Sequence, residues 1–296
     1  MERSKLYAWF AATFAVTVWG VSFIATKIAL REVSPATVVW LRFALGVIVL
    51  GGAVVARRQF GTPRLKELGY FALLGFLGIT LHQWLQSTAL VTAQASTTAW
   101  IVATTPVFIA ILGWLALKEY LSWLQAFGIV LAAAGVLLVV TDGDLLSLSE
   151  GRFGTQGDFL VLISALNWAV FSVLSRRGLE EYNPTRMMFY VMGLGWIFSS
   201  VIFFLGPGLG EIGALTRDGW MGIAFLGIAC SGLAYIFWYD ALSVFPASQV
   251  GAFLYLEPLV AVVIAALLLG EAITFFSIFG GGVILLGVWF VNRPAK

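Results

Sequence analysis

Charged residues are scarce in this chain. Only 11% of its 296 residues are Asp, Glu, Lys or Arg, whereas 60% are hydrophobic. A water-soluble domain carries about 25% charged residues, because its surface must face water. We therefore exclude a soluble globular domain and expect the chain to be surrounded by lipid.

Cysteine and histidine are nearly absent, with one of each, Cys230 and His82. A single cysteine excludes an intramolecular disulfide and a cysteine-based metal site. There are also no paired central aspartates, so little is available for a metal cluster, an aspartyl pair or a nucleophile beside a base. We predict no catalytic residue, no metal site, no cofactor and no enzymatic activity. The basic residues are dispersed among loops, so we expect no nucleic-acid partner.

Long apolar runs make up the rest of the sequence. They are about 17 to 25 residues long, the length that crosses the hydrocarbon core of a bilayer as a helix. The runs predict an all-α membrane protein with ten transmembrane helices and the lipid bilayer as its surroundings. The predicted helices cover residues 7–29, 36–56, 68–91, 95–117, 121–140, 158–176, 186–205, 220–242, 247–269 and 273–291.

The distribution of lysine and arginine predicts the orientation, because short cytoplasmic loops carry an excess of both. With the N-terminus inside, the outer side keeps only Lys27, Arg31, Arg152 and Arg217. The inner side then holds Arg3, Lys5, Arg57, Arg58, Arg64, Lys66, Lys118, Arg176, Arg177, Arg186, Arg293 and Lys296. We therefore expect both termini to be cytoplasmic.

The chain contains an internal duplication. Shifted by 149 residues, Trp19 meets Trp168, and shifted by 152, Pro106 meets Pro258. The predicted domains are a first five-helix repeat, residues 1–145, and a second, residues 146–296. Five is an odd number, so the second repeat enters the membrane inverted. Inverted repeats are typical of secondary transporters with a site near the midplane, although duplication can also produce a larger bundle or a channel.

Aromatic and ionisable residues deep in the predicted spans are the candidate ligands. Tryptophan and tyrosine rings can stack on a substrate and attract its ammonium group. The predicted substrate-binding residues are Trp19, His82, Gln86, Trp100, Trp168, Tyr235, Trp238, Tyr239, Tyr255 and Glu257. About half of the aromatic set could serve packing instead.

Three ionisable groups lie well inside the spans, where a charge costs about 2.5–3.5 kcal/mol on insertion scales. Glu257 either attracts an ammonium group or a coupling proton, or accepts hydrogen bonds from helix donors or Arg42. We interpret Arg42 as one half of a structural pair or as a cap for carbonyls. His82 has Gln86 one turn away and serves either the substrate or packing.

Pro106 and Pro258 lie near the centres of predicted helices 4 and 9. Each proline removes a backbone hydrogen bond and frees the carbonyl four residues earlier, at Val102 and Leu254. We predict that both prolines are hinges, with a static kink as the alternative.

Several of these residues together resemble a known family. The Trp19-Gly20-Val21-Ser22-Phe23 segment, Arg42, Pro106, Glu119, Leu256-Glu257-Pro258 and Leu269-Gly270-Glu271 are similar to motifs of the drug/metabolite transporter superfamily, EamA-type. The resemblance covers essentially the whole chain. The many central tryptophans and tyrosines are most similar to those of YddG-type exporters of aromatic amino acids.

The resemblance implies export across the bacterial cytoplasmic (inner) membrane, with helices 1, 3, 4, 6, 8 and 9 around a cavity and helices 5 and 10 peripheral. We predict a monomeric secondary transporter that exports aromatic and other neutral amino acids and related small metabolites by alternating access. The alternatives are an exporter of cationic drugs, a passive channel or an intramembrane enzyme. Phosphorylated cargo is disfavoured, because a phosphate group needs paired basic residues inside the membrane to neutralise it. The predicted spans offer only Arg42 well within a span.

Overall fold

The computed structural model describes residues 2–118, 120–146, 154–245 and 247–293. All regular structure within these ranges is helical. The long helices are α1 (Glu2–Ala29), α2 (Pro35–Ala56), α3 (Leu65–Gly75, Phe76–Leu81 and His82–Ala89), α4 (Ala95–Val102 and Thr105–Leu117), α5 (Trp123–Thr141), α6 (Gln156–Glu181), α7 (Pro184–Leu205), α8 (Arg217–Ala224, Phe225–Leu233 and Ala234–Leu242), α9 (Ala247–Ala252, Phe253–Tyr255 and Leu256–Leu269) and α10 (Phe275–Val291). A short helix, Gly208–Glu211, lies between α7 and α8.

Nine of these helices, α1 to α9, are long and apolar enough to cross a membrane within the described ranges. The tenth, α10, is equally apolar but has 17 residues. The chain is therefore a multi-pass membrane protein. The predicted bounds 95–117 and 247–269 coincide with those of α4 and α9, while a full ten spans stays a prediction.

The helix pair with the most extensive contact is α5 with α10. A Cβ atom on Gly128 would lie 2.6 Å from the carbonyl oxygen of Gly287, and one on Gly135 would lie 2.7 Å from that of Gly280. The two backbones approach this closely because glycine has no side chain. Phe127 of α5 is exposed on the outer surface of the pair, so this pair borders the lipid.

The other helices of the two halves pack into one another. Helix α1 packs against α8 and α9, and α6 packs against α3 and α4. Helix α2 contacts α7 and α8, while α3 contacts α7. The position of α1 in the packing therefore corresponds to that of α6.

Four helices are irregular near their middles. Helices α3 and α8 contain the π-helical stretches Phe76–Leu81 and Phe225–Leu233. Helix α4 is interrupted just before Pro106, and α9 passes through a 3₁₀ turn just before Pro258. The Val102 carbonyl, predicted to be free, accepts the Thr105 hydroxyl at 2.7 Å. Such irregularities are frequent at functional sites and hinges.

Candidate functional site

The first aromatic cluster joins α1 to α8. The ring centroid of Trp19 lies 5.7 Å from that of Tyr235 and 5.2 Å from that of Trp238. Tyr235 and Trp238 are three residues apart on one helix, so both can face α1. The Trp19 indole N–H donates to the carbonyl of the buried Cys230 at 3.2 Å. We call Trp19, Tyr235 and Trp238 the α1–α8 cluster.

The second aromatic cluster joins α3 to α6. The His82 ring lies 4.6 Å from Trp168, whose ring lies 4.7 Å from that of Phe171. The Nδ1 atom of His82 is 2.9 Å from the Ser164 hydroxyl and 3.1 Å from the Ser164 carbonyl. Ser164, not Gln86, therefore fixes the imidazole ring. We call His82, Trp168 and Phe171 the α3–α6 cluster.

Arg42 of α2 connects α8 with α3, which each carry part of one cluster. It is buried, and its Nε atom donates to the Ser231 hydroxyl at 3.2 Å while Nη1 donates to the Gln83 amide oxygen at 2.9 Å. Ser231 follows Cys230, which binds Trp19, and Gln83 follows His82. In the described part of the chain Arg42 forms no ion pair with Glu257. The alternative in which Glu257 accepts a hydrogen bond from Arg42 is therefore not observed.

Glu257 lies on α9 against α1. It immediately precedes Pro258, and a Cβ atom on Gly20 would be only 2.7 Å from the Glu257 carbonyl oxygen. The side chain is partly buried. Within the described ranges its carboxylate has neither a hydrogen bond nor an ion pair, so the carboxylate is available to a ligand.

Several polar atoms in the clusters and beside them have no protein partner. Within residues 2–118, 120–146, 154–245 and 247–293, the partnerless side-chain nitrogen and oxygen atoms that are fully occluded belong to Gln59, Asp158 and Trp196. The indole N–H groups of Trp168 and Trp238 and the hydroxyls of Tyr235 and Tyr239 have no partner either, yet they are absent from that set. None of these four groups is therefore completely enclosed by protein.

Other predicted residues lie away from the clusters. Trp100 is 1% exposed, its ring packs against Gly281 of α10, and its indole N–H points to the Ser277 hydroxyl at 3.3 Å. The Tyr255 hydroxyl accepts a hydrogen bond from Asn292 at 2.8 Å, at the end of α10. The structure thus brings together Trp19, Tyr235 and Trp238, and separately His82 and Trp168, but not Trp100 or Tyr255.

Two further predicted residues border these groups without joining them. Gln86 is buried, and its amide makes no hydrogen bond within the described ranges. Tyr239 is partly buried against the apolar core formed by α2, α3 and α7. Pro106 lines a cleft of about 150 Å³ between α4, α5 and α10, and Pro258 is buried in α9.

The polar partners of the clusters were harder to infer. Ser164 and Ser231 are two of many hydroxyl residues in the spans, and Gln83 is one of two neighbouring glutamines. Hydroxyls inside membrane helices usually connect helices, so the sequence carried no signal that selected these three.

Comparison with known families addresses the whole chain. The model of the EamA-like transporter family matches residues 6–141 and 155–293. The chain belongs to this family. As an EamA-like transporter it is a member of the drug/metabolite transporter superfamily, and its function is transport.

Relatives of this EamA-like transporter span nearly its full length. An uncharacterized transporter of Archaeoglobus fulgidus is 30% identical and is covered to 97%, as is the present chain. A probable terminal-alkyne amino-acid exporter of Streptantibioticus cattleyicolor is 26% identical, over 99% of this chain and 95% of its own. A solved crystal structure, 20% identical, superposes with a TM-score of 0.67 over 97% of this chain and 99% of its own, and shares the fold.

Proposed function

We propose that this EamA-like transporter exports aromatic and other neutral amino acids and related small metabolites across the bacterial cytoplasmic (inner) membrane. The observation that carries the proposal is the partnerless Glu257 carboxylate in an interior that also holds two aromatic clusters with unpaired polar atoms. The Streptantibioticus relative, a probable amino-acid exporter, supports this class of cargo. The many tryptophans and tyrosines also favour a YddG-type specificity for aromatic amino acids.

The proposed binding mode follows from the chemistry of the two ends of an amino acid. Glu257 attracts the ammonium group, because a carboxylate without a protein partner gains most from an external cation. Trp19 and Trp168 stack on the side chain and add cation–π attraction. Trp100 and Tyr255 lie on α4 and α9, and they reach the substrate only when these helices move.

We further propose that residues 1–145 and 146–296 are inverted repeats that exchange conformations during transport. The matching packing of α1 and α6 supports this, as do the π-helical stretches in α3 and α8. Pro106 and Pro258 would act as hinges, since each follows an interruption of its helix and Pro106 borders free space. The protein would work as a monomer with both termini in the cytoplasm.

A cationic-compound exporter is the second candidate. Glu257 and the tryptophans suit any organic cation, because a carboxylate and aromatic faces both attract positive charge. The two candidates differ in whether neutral, zwitterionic amino acids are carried.

Transport by the purified protein in liposomes tests the proposal. We expect saturable counterflow of labelled phenylalanine, measured beside threonine and a cationic dye, each with and without a pH gradient. Trp168→Ala is expected to reduce phenylalanine counterflow about tenfold, because it removes one stacking face worth about 1 kcal/mol or more. The matched control is Trp220→Ala, since Trp220 is 42% exposed near the start of α8.

The possible outcomes separate the candidates. Counterflow of the dye without any of the amino acids would establish the second candidate and exclude the first. Uptake that does not saturate would indicate a channel. Equal losses in Trp168→Ala and Trp220→Ala would remove the aromatic clusters from the binding site.

A further inference from the structure

Arg42 carries a positive charge into the membrane without an acidic partner. Its side chain is 5% exposed. The ion pairs of the described ranges involve Lys27, Arg57, Arg176 and Arg177, so no described carboxylate neutralises Arg42. A buried charge is stable only when it is paired or fully hydrogen-bonded, and within a membrane it usually marks a functional site.

The hydrogen bonds of Arg42 leave one edge of its guanidinium group unused. An arginine has five N–H donors, and here Nε binds Ser231 while Nη1 binds Gln83. Both acceptors are neutral. The Nη2 atom has no partner, yet it is not among the fully occluded partnerless atoms of the described ranges. The Nη2 atom is therefore not completely enclosed by protein.

Arg42 lies between the two helices that carry the aromatic clusters, because Ser231 belongs to α8 and Gln83 to α3. Ser231 is adjacent to Cys230, whose carbonyl binds Trp19 of the α1–α8 cluster. Gln83 is adjacent to His82, which packs on Trp168 of the α3–α6 cluster. The two neutral acceptors and the ring of Phe43, whose centroid lies 5.1 Å from the Arg42 Cζ atom, hold the guanidinium group, and none of the three carries a negative charge.

We propose that Arg42 binds the carboxylate of the transported substrate. The planar guanidinium group matches a carboxylate with two parallel N–H···O bonds, here from Nη2 and the second Nη1 hydrogen. This inference rests on the proposed function and extends it, since Arg42 would hold the anionic end of the transported amino acid. A single guanidinium neutralises one negative charge, which suits a carboxylate better than a phosphate dianion.

Competition binding tests the assignment. Labelled phenylalanine is bound to the purified, full-length protein and displaced by phenylalanine, phenylalaninamide or phenethylamine, of which the last two lack the carboxylate. We expect the wild-type protein to bind phenylalanine about 30-fold more tightly than phenylalaninamide, as for other buried charge pairs. Arg42→Gln should abolish this preference and Arg42→Lys should restore part of it. The matched control is Arg176→Gln, an exposed arginine of α6.

A second measurement uses only the wild-type protein, so its result does not depend on whether the variants fold. Phenylglyoxal modifies accessible guanidinium groups, and the modified arginines are identified by peptide mapping. We expect slow modification of Arg42 that phenylalanine prevents and phenylalaninamide does not. Sodium chloride serves as the competing anion, and protection by chloride but not by phenylalanine would overturn the proposal.

The results distinguish this inference from the proposed function. A wild-type protein that neither binds nor transports amino acids would contradict both. A wild-type protein that transports phenylalanine, combined with an Arg42→Gln variant that still prefers phenylalanine to its amide, would overturn the role of Arg42 alone.

Discussion

Two glutamates near the C-terminus differ sharply in what surrounds them. Glu271, just after α9, accepts the backbone N–H groups of Ala95 and Ser96 at 2.8 and 3.0 Å and the Ser96 hydroxyl at 2.7 Å, and it lies 3.6 Å from Lys27. Glu257, inside α9, has no such partner within the described ranges. Glu271 caps the N-terminus of α4, where a negative charge is stabilised. Glu257 does nothing comparable for the fold.

The same difference separates the helix ends from the interior. At one helix end, Asp240 accepts two hydrogen bonds from Arg57, at 2.7 and 2.8 Å, and one from Tyr7. In the interior, Arg42 keeps an unused donor edge. The Asp240 carboxylate at the helix end is therefore bonded within the protein, whereas under the proposed function the free donors of Arg42 in the interior serve a ligand. Substitutions in the two regions should separate stability from transport.

The largest expected effect is that of the Glu257→Gln substitution on transport. We expect phenylalanine counterflow to fall about a hundredfold, because the ammonium group loses its charged partner. Thermal unfolding in detergent should be unchanged or shifted upward, since no protein hydrogen bond is lost and a costly charge is removed.

Glu180→Gln is the control for this prediction, because Glu180 is exposed and lies 4.0 Å from Arg176 at the protein surface. It should leave both transport and unfolding at wild-type values. A Glu257→Gln variant that lost thermal stability in proportion to transport would show that Glu257 is structural, and it would erase the contrast with Glu271.

The opposite pattern is expected for Glu271→Gln. Loss of charge-assisted bonds to the start of α4 should lower the free energy of unfolding by about 2 kcal/mol. The affinity for phenylalanine should stay near the wild-type value, because Glu271 lies outside both aromatic clusters. Thermal unfolding and ligand binding of the same preparation measure the two quantities.

Glu67→Gln is the matched control for Glu271→Gln. Glu67 lies in the first turn of α3 and accepts the backbone N–H of Arg64 at 2.9 Å. Since this is a bond within one helix terminus, its loss should cost about 0.5 kcal/mol. Equal losses in the two variants would mean that the connection from Glu271 to α4 adds nothing beyond a local cap.

The helices themselves could be predicted from the sequence. Hydrophobic run length alone located α4 and α9, because a membrane of fixed thickness fixes the length of a spanning helix. The rotation of each helix could not be predicted in the same way. The hydroxyl residues of helix α4 do not define a single polar face, so the sequence did not indicate that Trp100 would pack on Gly281 of α10.

Hydrogen-bond partners that are distant along the chain could not be predicted from the sequence either. Arg42 binds Gln83 and Ser231, which are 41 and 189 residues away along the chain. The sequence interpretation favoured a structural pair or a carbonyl cap, because Arg42 lies outside the helices that the family resemblance places around the cavity. Which side chains approach Arg42 is decided by how α2 packs on α3 and α8. The same packing selected Ser164 over Gln86 as the partner of His82.

The smallest expected effect is on the pH dependence of stability, through Glu211, a hydrogen-bonded carboxylate outside the spans. Burial raises the pKa of Glu211, but hydrogen bonds from the Thr37 hydroxyl, the Ser34 hydroxyl and the Ser34 backbone N–H outweigh it, so the pKa lies below the ordinary value of 4.5. A lowered pKa means that the ionised form stabilises the fold. This contribution is fully present above pH 4.5 and is lost as the pH falls through the lowered pKa.

Glu211→Gln should therefore reduce the loss of thermal stability between pH 6 and pH 3, by less than about 1 kcal/mol since the group is partly solvated. Unfolding temperatures in detergent at both pH values measure it, with Glu180→Gln expected to keep the wild-type pH dependence. If Glu211→Gln destabilised the protein equally at both pH values, the bonds to Ser34 and Thr37 would not depend on charge. Glu211 would then differ from Glu271, whose charge is expected to stabilise the fold. The carboxylates at the helix ends would no longer share one structural role.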